Sequence, residues 1–434
     1  MLIDYYGEGI KMSTKEQQYK MAQDIFADFG VDTNAALDIL RSVPISMHCW
    51  QLDDLTGFED MNSVLSGGIQ ATGNAPGKPK NIDEYMQDLN LAMAYIPGPL
   101  KLALHAIYRT GGKPADRDAL TPAQFELWVD FAREKNIGLD FNPTYFSHPM
   151  ASSGLTLTSE DSHIRDYWIS HGASCRRIGE YFGKRTGWPC ITNHWVGDGS
   201  KDQRIDKLRP RELLMDSLNK IFAEPIDPRY NIDSVESKLF GIGVESYTPG
   251  SHEFYTNYVM SHRNCILCLD TGHFHPTESV ADKLSAYLCF GQELMLHVSR
   301  PVRWDSDHVV ILDDDTYAVM KEIVRCDALK KVHIGTDYFD ASIDRVAATV
   351  IGVRSVRKAL LYALLQPNSH LKSIERAGDL TKRLAISEEA KLLPFGIVWE
   401  RFCEEENISG SSWFDDFNKK RAAVLSDRMR GGKA

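Results

Sequence analysis

The segment CILCLDTGH spans residues 265–273 and joins an apolar run to two polar side chains, Asp270 and His273. We interpret four further segments in the same way, as apolar runs that end in carboxylate or imidazole groups: VESKLF (235–240), LMLHVS (294–299), WDSDH (304–308) and KVHIGTDYF (331–339). Short apolar runs of this kind are typical of buried strands. Only folding brings such distant strand ends together, and a barrel of parallel strands does so.

The polar side chains that follow these runs are of types that ligate metal ions. The candidate ligands are Glu236, Asp270, His273, His297, Asp305, Asp307 and Asp337. Taken singly, a carboxylate after a strand is often a helix cap, and His297 has the alternative of a hydrogen-bonded core histidine. Burying so many carboxylates around one barrel mouth is costly without cations. The full set therefore predicts metal chemistry, and its mixture of carboxylate and imidazole suits manganese, zinc or cobalt better than calcium.

Outside these segments, apolar runs continue to alternate with stretches of helical periodicity. We predict eight strands, which start near residues 46, 100, 138, 189, 235, 264, 294 and 330. Eight β/α units predict a (β/α)8 TIM barrel whose site lies at the carboxyl ends of its strands. We expect an N-terminal helical extension (1–44), the barrel (45–345) and a C-terminal helical region (346–434). An open doubly wound sheet is the alternative, but no GxGxxG follows an early strand.

Local signals predict several helix starts. Thr14 and Gln17 form a capping box before a leading helix, and Thr121, Pro122 and Gln124 mark another start. The run Asp313 to Asp315 is expected to cap the helix that follows it.

Composition excludes several classes of function. The chain has 434 residues, 43% of them hydrophobic and 25% charged, as expected for a globular protein. Its net charge of -11 disfavours a nucleic-acid partner. The first residues, MLIDYYGEGIKM, do not resemble a secretory signal, and no apolar run is long enough for a membrane span, so we expect a cytoplasmic protein. We take Cys265 and Cys268 as core residues, because residues three apart on a strand face opposite ways.

Several motifs together resemble the L-rhamnose isomerase family of the xylose-isomerase-like barrel group over nearly the whole chain. They are SMHCWQ (46–51), GGIQATGN (67–74), LHAIY (104–108), LDFNP (139–143), VESKLFGIG (235–243), LDTGHFHPTE (269–278), LHVSRPVRWDSDHVV (296–310) and HIGTDYFDASI (333–343). Within the NHW segment, the family pattern Asn-x-Trp makes Asn193 and Trp195 the matching positions and His194 a variable one.

The resemblance implies an aldose–ketose isomerase that interconverts L-rhamnose and L-rhamnulose with two divalent ions, most often Mn²⁺. It implies one ion on Glu236, Asp270, His297 and Asp337, and another on His273, Asp305 and Asp307, with Asp270 as a possible bridge. It also implies a homotetramer. Two ions about 4 Å apart would anchor the sugar oxygens and favour a hydride shift. A cis-enediol path through a basic group is the second mechanism.

The spacing of the candidate ligands raises two structural expectations. Asp270 and His273 are three apart, so the chain must curl back after the strand, and Gly272 is expected to permit that turn. Asp305 and Asp307 are two apart, so an extended backbone would direct both towards one ion.

Other residues are candidates for contacts with the substrate. Lys238 shares a strand face with Glu236 and would place a cation near O1 of the sugar; the alternative is an ion pair with a ligand carboxylate. His105 is expected to bind the sugar or assist ring opening with Asp337, unless it is a core histidine. Three aromatic residues would face the deoxy methyl carbon or belong to the core: Trp50, Phe146 and Trp195.

The role of one Gly-rich stretch and the function of the whole chain both have alternatives. The Gly-rich stretch 67–74 lacks the Lys of a phosphate loop, so we expect a lid or an arm that reaches a neighbouring subunit. Three competing functions are an isomerase of another aldose, a metal-dependent endonuclease on the same barrel and a non-catalytic sugar-binding protein. The acidic balance of the chain disfavours the endonuclease.

Overall fold

Eight parallel strands form a closed barrel in chain order at the centre of the computed structural model, which describes residues 14–59 and 73–431. The (β/α)8 fold class is therefore confirmed. The strands are β1 (Ile45–His48), β2 (Leu100–His105), β3 (Gly138–Asn142), β4 (Cys190–Trp195), β5 (Asn231–Glu236), β6 (Ile266–Asp270), β7 (Leu294–Val298) and β8 (Val332–Thr336).

The barrel closes between its first and last strands, where Ile45 of β1 lies opposite Ile334 of β8. Almost every strand residue is buried, because side chains fill the inside and helices cover the outside. A small apolar cluster that includes Ile191, Ile266, Cys268 and Met295 fills part of the interior. The larger cluster packs the outer strand faces against the helices.

Helices follow the strands and extend the barrel at both ends of the chain. They are α1 (Lys15–Asp28), α2 (Thr33–Ser42), α3 (Ile82–Met93), α4 (Glu126–Lys135), α5 (Ser162–Thr186), α6 (Leu208–Ile221), α7 (His252–His262), α8 (Val280–Cys289), α9 (Asp314–Arg325), α10 (Arg345–Leu364), α11 (Asn368–Arg376), α12 (Leu380–Glu389), α13 (Phe395–Glu405) and α14 (Trp413–Gly431). Within the described ranges, no helix has the length and apolar character that crossing a membrane requires.

The predicted helix caps are present. Thr14 accepts a hydrogen bond from the Gln17 backbone at the start of α1, and the Gln17 side chain accepts one from the Thr14 backbone. Asp313 accepts a bond from the Thr316 backbone before α9. Thr121 and Gln124 also form a capping box, but that segment opens with a short 3-10 helix and α4 begins only at Glu126.

One predicted strand start is wrong, and one helix was not predicted. Strand β5 begins at Asn231 rather than near residue 235, because Asn231 and Asp233 are polar positions that find partners on neighbouring elements. Thr192 donates a hydrogen bond to Asn231 at 2.6 Å, and Arg176 lies 2.8 Å from Asp233. The sequence prediction also missed α2, which Asp32 caps by accepting bonds from two backbone N–H groups.

Candidate active site

Polar or aromatic side chains stand at or next to the carboxyl end of every barrel strand. They are His48, His105, Asn142, Trp195, Glu236, Asp270, His297 and Asp337. Because all eight strands are parallel, these ends meet at one mouth of the barrel. All of these residues except Asp270 line one small cavity there, together with Trp50, Asn193, Lys238, His273 and Asp307.

Four of the predicted metal ligands come together tightly. One ligand atom from each of Glu236, Asp270, His297 and Asp337 lies within 4.8 Å of the others. The Nδ1 atom of His297 is 3.2 Å from Glu236 Oε2, 3.4 Å from Asp337 Oδ2 and 3.9 Å from Asp270 Oδ2. The register of the sheet contributes to this arrangement, because Asp270 of β6 lies directly opposite His297 of β7.

The other three predicted ligands lie beside this group. His273 Nδ1 is 3.2 Å from Glu236 Oε1, and His273 Nε2 is 3.4 Å from Asp305 Oδ2. Asp307 lines the same cavity. Lys238 Nζ is 2.7 Å from Asp305 Oδ2, so the ion pair that was the alternative reading of Lys238 is present. The structure therefore brings all seven candidate ligands to one place.

Burial and mutual repulsion disturb the acidity of these carboxyl groups. Burial raises the pKa of Asp337 to about 7 and that of Asp270 to about 6. Burial together with the charge of Asp305 raises the pKa of Asp307 well above its ordinary value. Burial also opposes ionisation of Glu236, but the charges and hydrogen bonds of His297 and His273 together outweigh it and lower the pKa of Glu236 well below its ordinary value. A set of carboxylates this costly to ionise is stabilised by added positive charge.

The residues present fit a divalent cation. Several buried polar atoms at the mouth have no hydrogen-bond partner, among them Asp270 Oδ2, His273 Nδ1, His297 Nδ1 and Asp305 Oδ1. Unpartnered buried atoms are costly in a folded protein and call for an explanation such as an ion. Carboxylate oxygens and imidazole nitrogens are the donors that manganese, zinc and cobalt accept. The cluster can therefore hold a metal ion.

The expectation of a strand end with an extended backbone between Asp305 and Asp307 is wrong. The segment 304–308 is a loop after β7 rather than the end of a strand, and Asp307 has a φ of 44°, so the backbone is not extended between Asp305 and Asp307. The chain does turn back after β6 as expected, and Gly272 permits this turn without a positive φ. Its role is close approach, since an added Cβ would lie 2.9 Å from Asp305 Oδ1 and 3.2 Å from Asp270 Oδ1.

Trp50 connects several parts of the site. Its indole N–H donates a hydrogen bond to Asp337 Oδ1 at 2.7 Å. Its ring stacks on His48 and His105, with centroid separations of 4.0 and 4.4 Å. His105 is held in turn by Thr144, whose hydroxyl lies 3.1 Å from His105 Nδ1.

The remaining aromatic candidates, Trp195 and Phe146, pack against each other. The ring centroids of Trp195 and Phe146 are 5.5 Å apart, and the two rings are roughly perpendicular. The ring centroid of Phe146 is also 6.1 Å from that of His105. Lys238 Nζ lies 4.9 Å from the centre of the Trp195 ring. Trp195 lines the cavity, whereas Phe146 packs behind it and lines a neighbouring cleft.

Sequence reasoning missed three residues as parts of the site. His48 has an unpartnered Nε2, Asn142 ends β3, and Asn193 donates a hydrogen bond to Glu236 while its Oδ1 has no partner. Their signal was their place near strand ends inside motifs already noted. His194 faces away from the cavity and contacts Tyr145 and Asp233 in the buried layer outside the barrel.

Comparison with known proteins shows the family to which the chain is related. The family model described as L-rhamnose isomerase (RhaA) matches residues 13–428. L-rhamnose isomerase of Mannheimia succiniciproducens is 54% identical over 96% of this chain and 100% of its own length. The enzyme of that name from Escherichia coli is 51% identical over 95% of this chain and 99% of its own length.

A solved structure of an L-ribulose 3-epimerase is also similar, with a TM-score of 0.45 and 10% identity over 76% of this chain and 98% of that chain. The family match and the identities above concern nearly every described residue of this chain. The chain belongs to the L-rhamnose isomerase family, a family of aldose–ketose isomerases.

Proposed function

We propose that this chain interconverts L-rhamnose and L-rhamnulose with the help of two divalent metal ions, most readily Mn²⁺. The observation that carries the proposal is the group of Glu236, Asp270, His297 and Asp337, whose ligand atoms lie within 4.8 Å of one another at the barrel mouth. Membership of the L-rhamnose isomerase family supports the choice of substrate.

The residues divide between two ion positions. Glu236, Asp270, His297 and Asp337 would hold one ion, while His273, Asp305 and Asp307 would hold the other, with Asp270 as a bridge. When bound, divalent ions supply Lewis-acid polarisation of the sugar oxygens. The Lys238 ammonium 2.7 Å from Asp305 adds a further positive charge, which we assign to O1 of the sugar.

Isomerisation moves a hydrogen from C2 to C1 of the open-chain sugar and a proton from O2 to O1. We propose a hydride shift for the carbon-bound hydrogen, with a cis-enediol as the alternative. We propose that His105 and Asp337, which both contact Trp50, assist ring opening of the sugar. We propose that Trp50 and Trp195, which line the cavity, exclude water and face the deoxy methyl end of the sugar, with Phe146 packed behind Trp195.

The metal requirement is tested by chelating the protein, restoring single metals and assaying conversion of L-rhamnose to L-rhamnulose. We expect activity to return with Mn²⁺ and to be lost in the Asp305→Asn variant. Asp130→Asn, an exposed position on α4, is the matched control and should keep full activity. Full activity of the chelated protein, or of Asp305→Asn, would contradict the metal assignment.

The path of the hydrogen is tested with L-rhamnose deuterated at C2. A hydride shift keeps the deuterium at C1 of the product, and mass spectrometry or proton NMR detects it there. Exchange of the label with solvent would instead favour the cis-enediol, in which a carboxylate removes the C2 proton.

We further propose a cytoplasmic homotetramer, as the family resemblance implies, with the Gly-rich stretch as a lid or as an arm to a neighbouring subunit. Residues 67–72 of that stretch lie outside the described residues. Light scattering of the intact protein should give a mass close to four times the 49.0 kDa of one chain.

Activity on another aldose is an alternative that a substrate panel would reveal. The net charge of -11 remains the argument against nucleic acid as a partner.

A further inference from the structure

Cys268 lies inside the barrel, next to the proposed metal ligands, and the proposed function does not use it. It is fully buried and packs in the small interior cluster with Ile266 and Met295. It precedes Asp270 by two residues in β6, so both side chains point into the barrel. In the neighbouring strand it lies directly opposite Glu236.

Three types of metal ligand, a carboxylate, a thiol and an imidazole, lie close together around Cys268. Ligand atoms of Glu236, Cys268 and His297 lie within 4.8 Å of one another. Their residues are 3%, 0% and 2% exposed, and His297 Nδ1 has no hydrogen-bond partner. One ion with ligand bonds of about 2.0 to 2.3 Å can draw such atoms around itself.

We propose that Glu236, Cys268 and His297 form a second, deeper cation position that selects thiophilic divalent ions such as Zn²⁺ and Cd²⁺. A sulfur ligand favours soft ions, whereas Mn²⁺ prefers oxygen. Binding forms a metal–sulfur bond and releases the S–H proton of Cys268 to solvent. No oxidant or reductant is involved, because neither the ion nor the sulfur changes its oxidation state.

The deeper position shares Glu236 and His297 with the proposed manganese position, so the two cannot be filled independently. A thiophilic ion at the deeper position removes two ligands from the manganese position and inhibits the manganese enzyme. This consequence rests on the proposed function, whereas the sulfur coordination itself does not.

The first test titrates the full-length, chelated protein with Cd²⁺ and follows the thiolate-to-cadmium charge-transfer absorption. We expect the band to saturate near one equivalent in the wild type and in Cys265→Ser, and to be absent in Cys268→Ser. Cys265 is a suitable control because it is buried in the outer apolar cluster only three residues away. Cys49→Ser controls for the buried thiol that follows β1. A band that persists in Cys268→Ser would overturn the proposal.

The second test needs no variant and therefore does not depend on the folding of Cys268→Ser. X-ray absorption of the wild type with one equivalent of Zn²⁺ should show one sulfur neighbour at about 2.3 Å. Only oxygen and nitrogen neighbours would refute the deeper position.

Inhibition separates this proposal from the proposed function. Zn²⁺ should inhibit Mn²⁺-dependent isomerisation of L-rhamnose in the wild type, and inhibition should be weaker by about tenfold or more in Cys268→Ser. Sulfur coordination without any isomerase activity would refute the proposed function and leave the deeper position standing. Activity without sulfur coordination would do the reverse.

Discussion

Trp50 shows how one residue supports several chemical groups at once. Its N–H donates to Asp337 at 2.7 Å, and its ring lies against His48 and His105. The bond from the indole stabilises the ionised form of a carboxyl group whose pKa burial raises to about 7. Trp50 is therefore a positioning residue for a proposed metal ligand.

We predict that Trp50→Phe weakens Mn²⁺ binding by about tenfold to a hundredfold, because Asp337 loses its hydrogen-bond donor while the aromatic ring is kept. Metal titration of the chelated protein measures this change. Trp128→Phe is the matched control, since Trp128 is a buried tryptophan that donates to the Tyr108 carbonyl at 2.7 Å in the core. Equal Mn²⁺ affinity in both variants would contradict the role of Trp50.

Asp53, in the loop after β1, is a second buried carboxyl group with a disturbed acidity. Burial raises its pKa to about 7, although Tyr108 Oη and the Gly57 backbone N–H donate to it at 2.5 and 2.9 Å. A carboxyl group with a raised folded-state pKa contributes most stability below its unfolded pKa. That contribution is lost as the pH rises through about 7.

We predict that the free energy of unfolding of the wild type, minus that of Asp53→Asn, falls by about 2 to 3 kcal/mol from about pH 5 to pH 8. Urea unfolding at both pH values measures this difference, in which the shared titrating groups cancel. The same comparison with Asp24→Asn, an exposed change, should give no such fall. A constant difference for Asp53→Asn would show that the carboxyl is ionised throughout this range.

At the scale of elements, the turn after β6 packs against two of the proposed metal ligands, Asp270 and Asp305. The Gly272 N–H donates to Asp270 Oδ1 at 2.6 Å, and Ser299 after β7 donates to the same oxygen at 3.2 Å. A Cβ at position 272 would lie 2.9 Å from Asp305 Oδ1 and 3.0 Å from Ser299 Oγ. The turn is therefore packed against the ligands on one side.

We predict that Gly272→Ala lowers kcat by about tenfold or more while the free energy of unfolding changes by only about 1 kcal/mol, because the methyl group displaces Asp305 rather than straining the backbone. Steady-state kinetics and urea unfolding measure the two effects. Gly396→Ala in α13 is the control, since a Cβ there has open space. Normal kcat in Gly272→Ala would mean that Asp305 moves aside without loss.

At the scale of the whole molecule, ion pairs attach the last helix, α14, to the helices around the barrel. Asp88 of α3 is fully buried and accepts bonds from Arg421 at 2.6 Å and Arg428 at 2.7 Å. Arg421 also donates to Asp344, just before α10, at 2.6 Å. Helix α14 thus ties α3 and α10 together at the side of the barrel.

We predict that Asp88→Asn destabilises the protein by about 3 to 5 kcal/mol, because Arg421 and Arg428 lose the fully buried carboxylate that they share. Urea unfolding at neutral pH measures the loss. Asp24→Asn breaks only the exposed pair with Lys20 and should cost less than about 1 kcal/mol. A similar small cost for Asp88→Asn would mean that water reaches the arginines.

Much of the fold and most of the candidate site were predictable from local pattern. Strand-length apolar runs indicated the barrel, and the carboxylates and imidazoles at their ends indicated which mouth carries the site. The start of β5 at Asn231 was not predictable. The polar side chains of Asn231 and Asp233 are buried there because Thr192 and Arg176, on other elements, bond to them. Likewise, nothing in WDSDH reveals the left-handed backbone of Asp307.

The sequence by itself determined the order of the strands, the shared face of Cys268 and Asp270, and the types of ligand at the barrel mouth. These follow from the two-residue period of a strand and from the parallel direction of the barrel strands. Only the tertiary structure decided that Trp50 bonds to Asp337, 287 residues away, that Lys238 pairs with Asp305, and that His48 joins the cavity. Such contacts depend on the register around the barrel and on loop conformation, which no local stretch of sequence encodes.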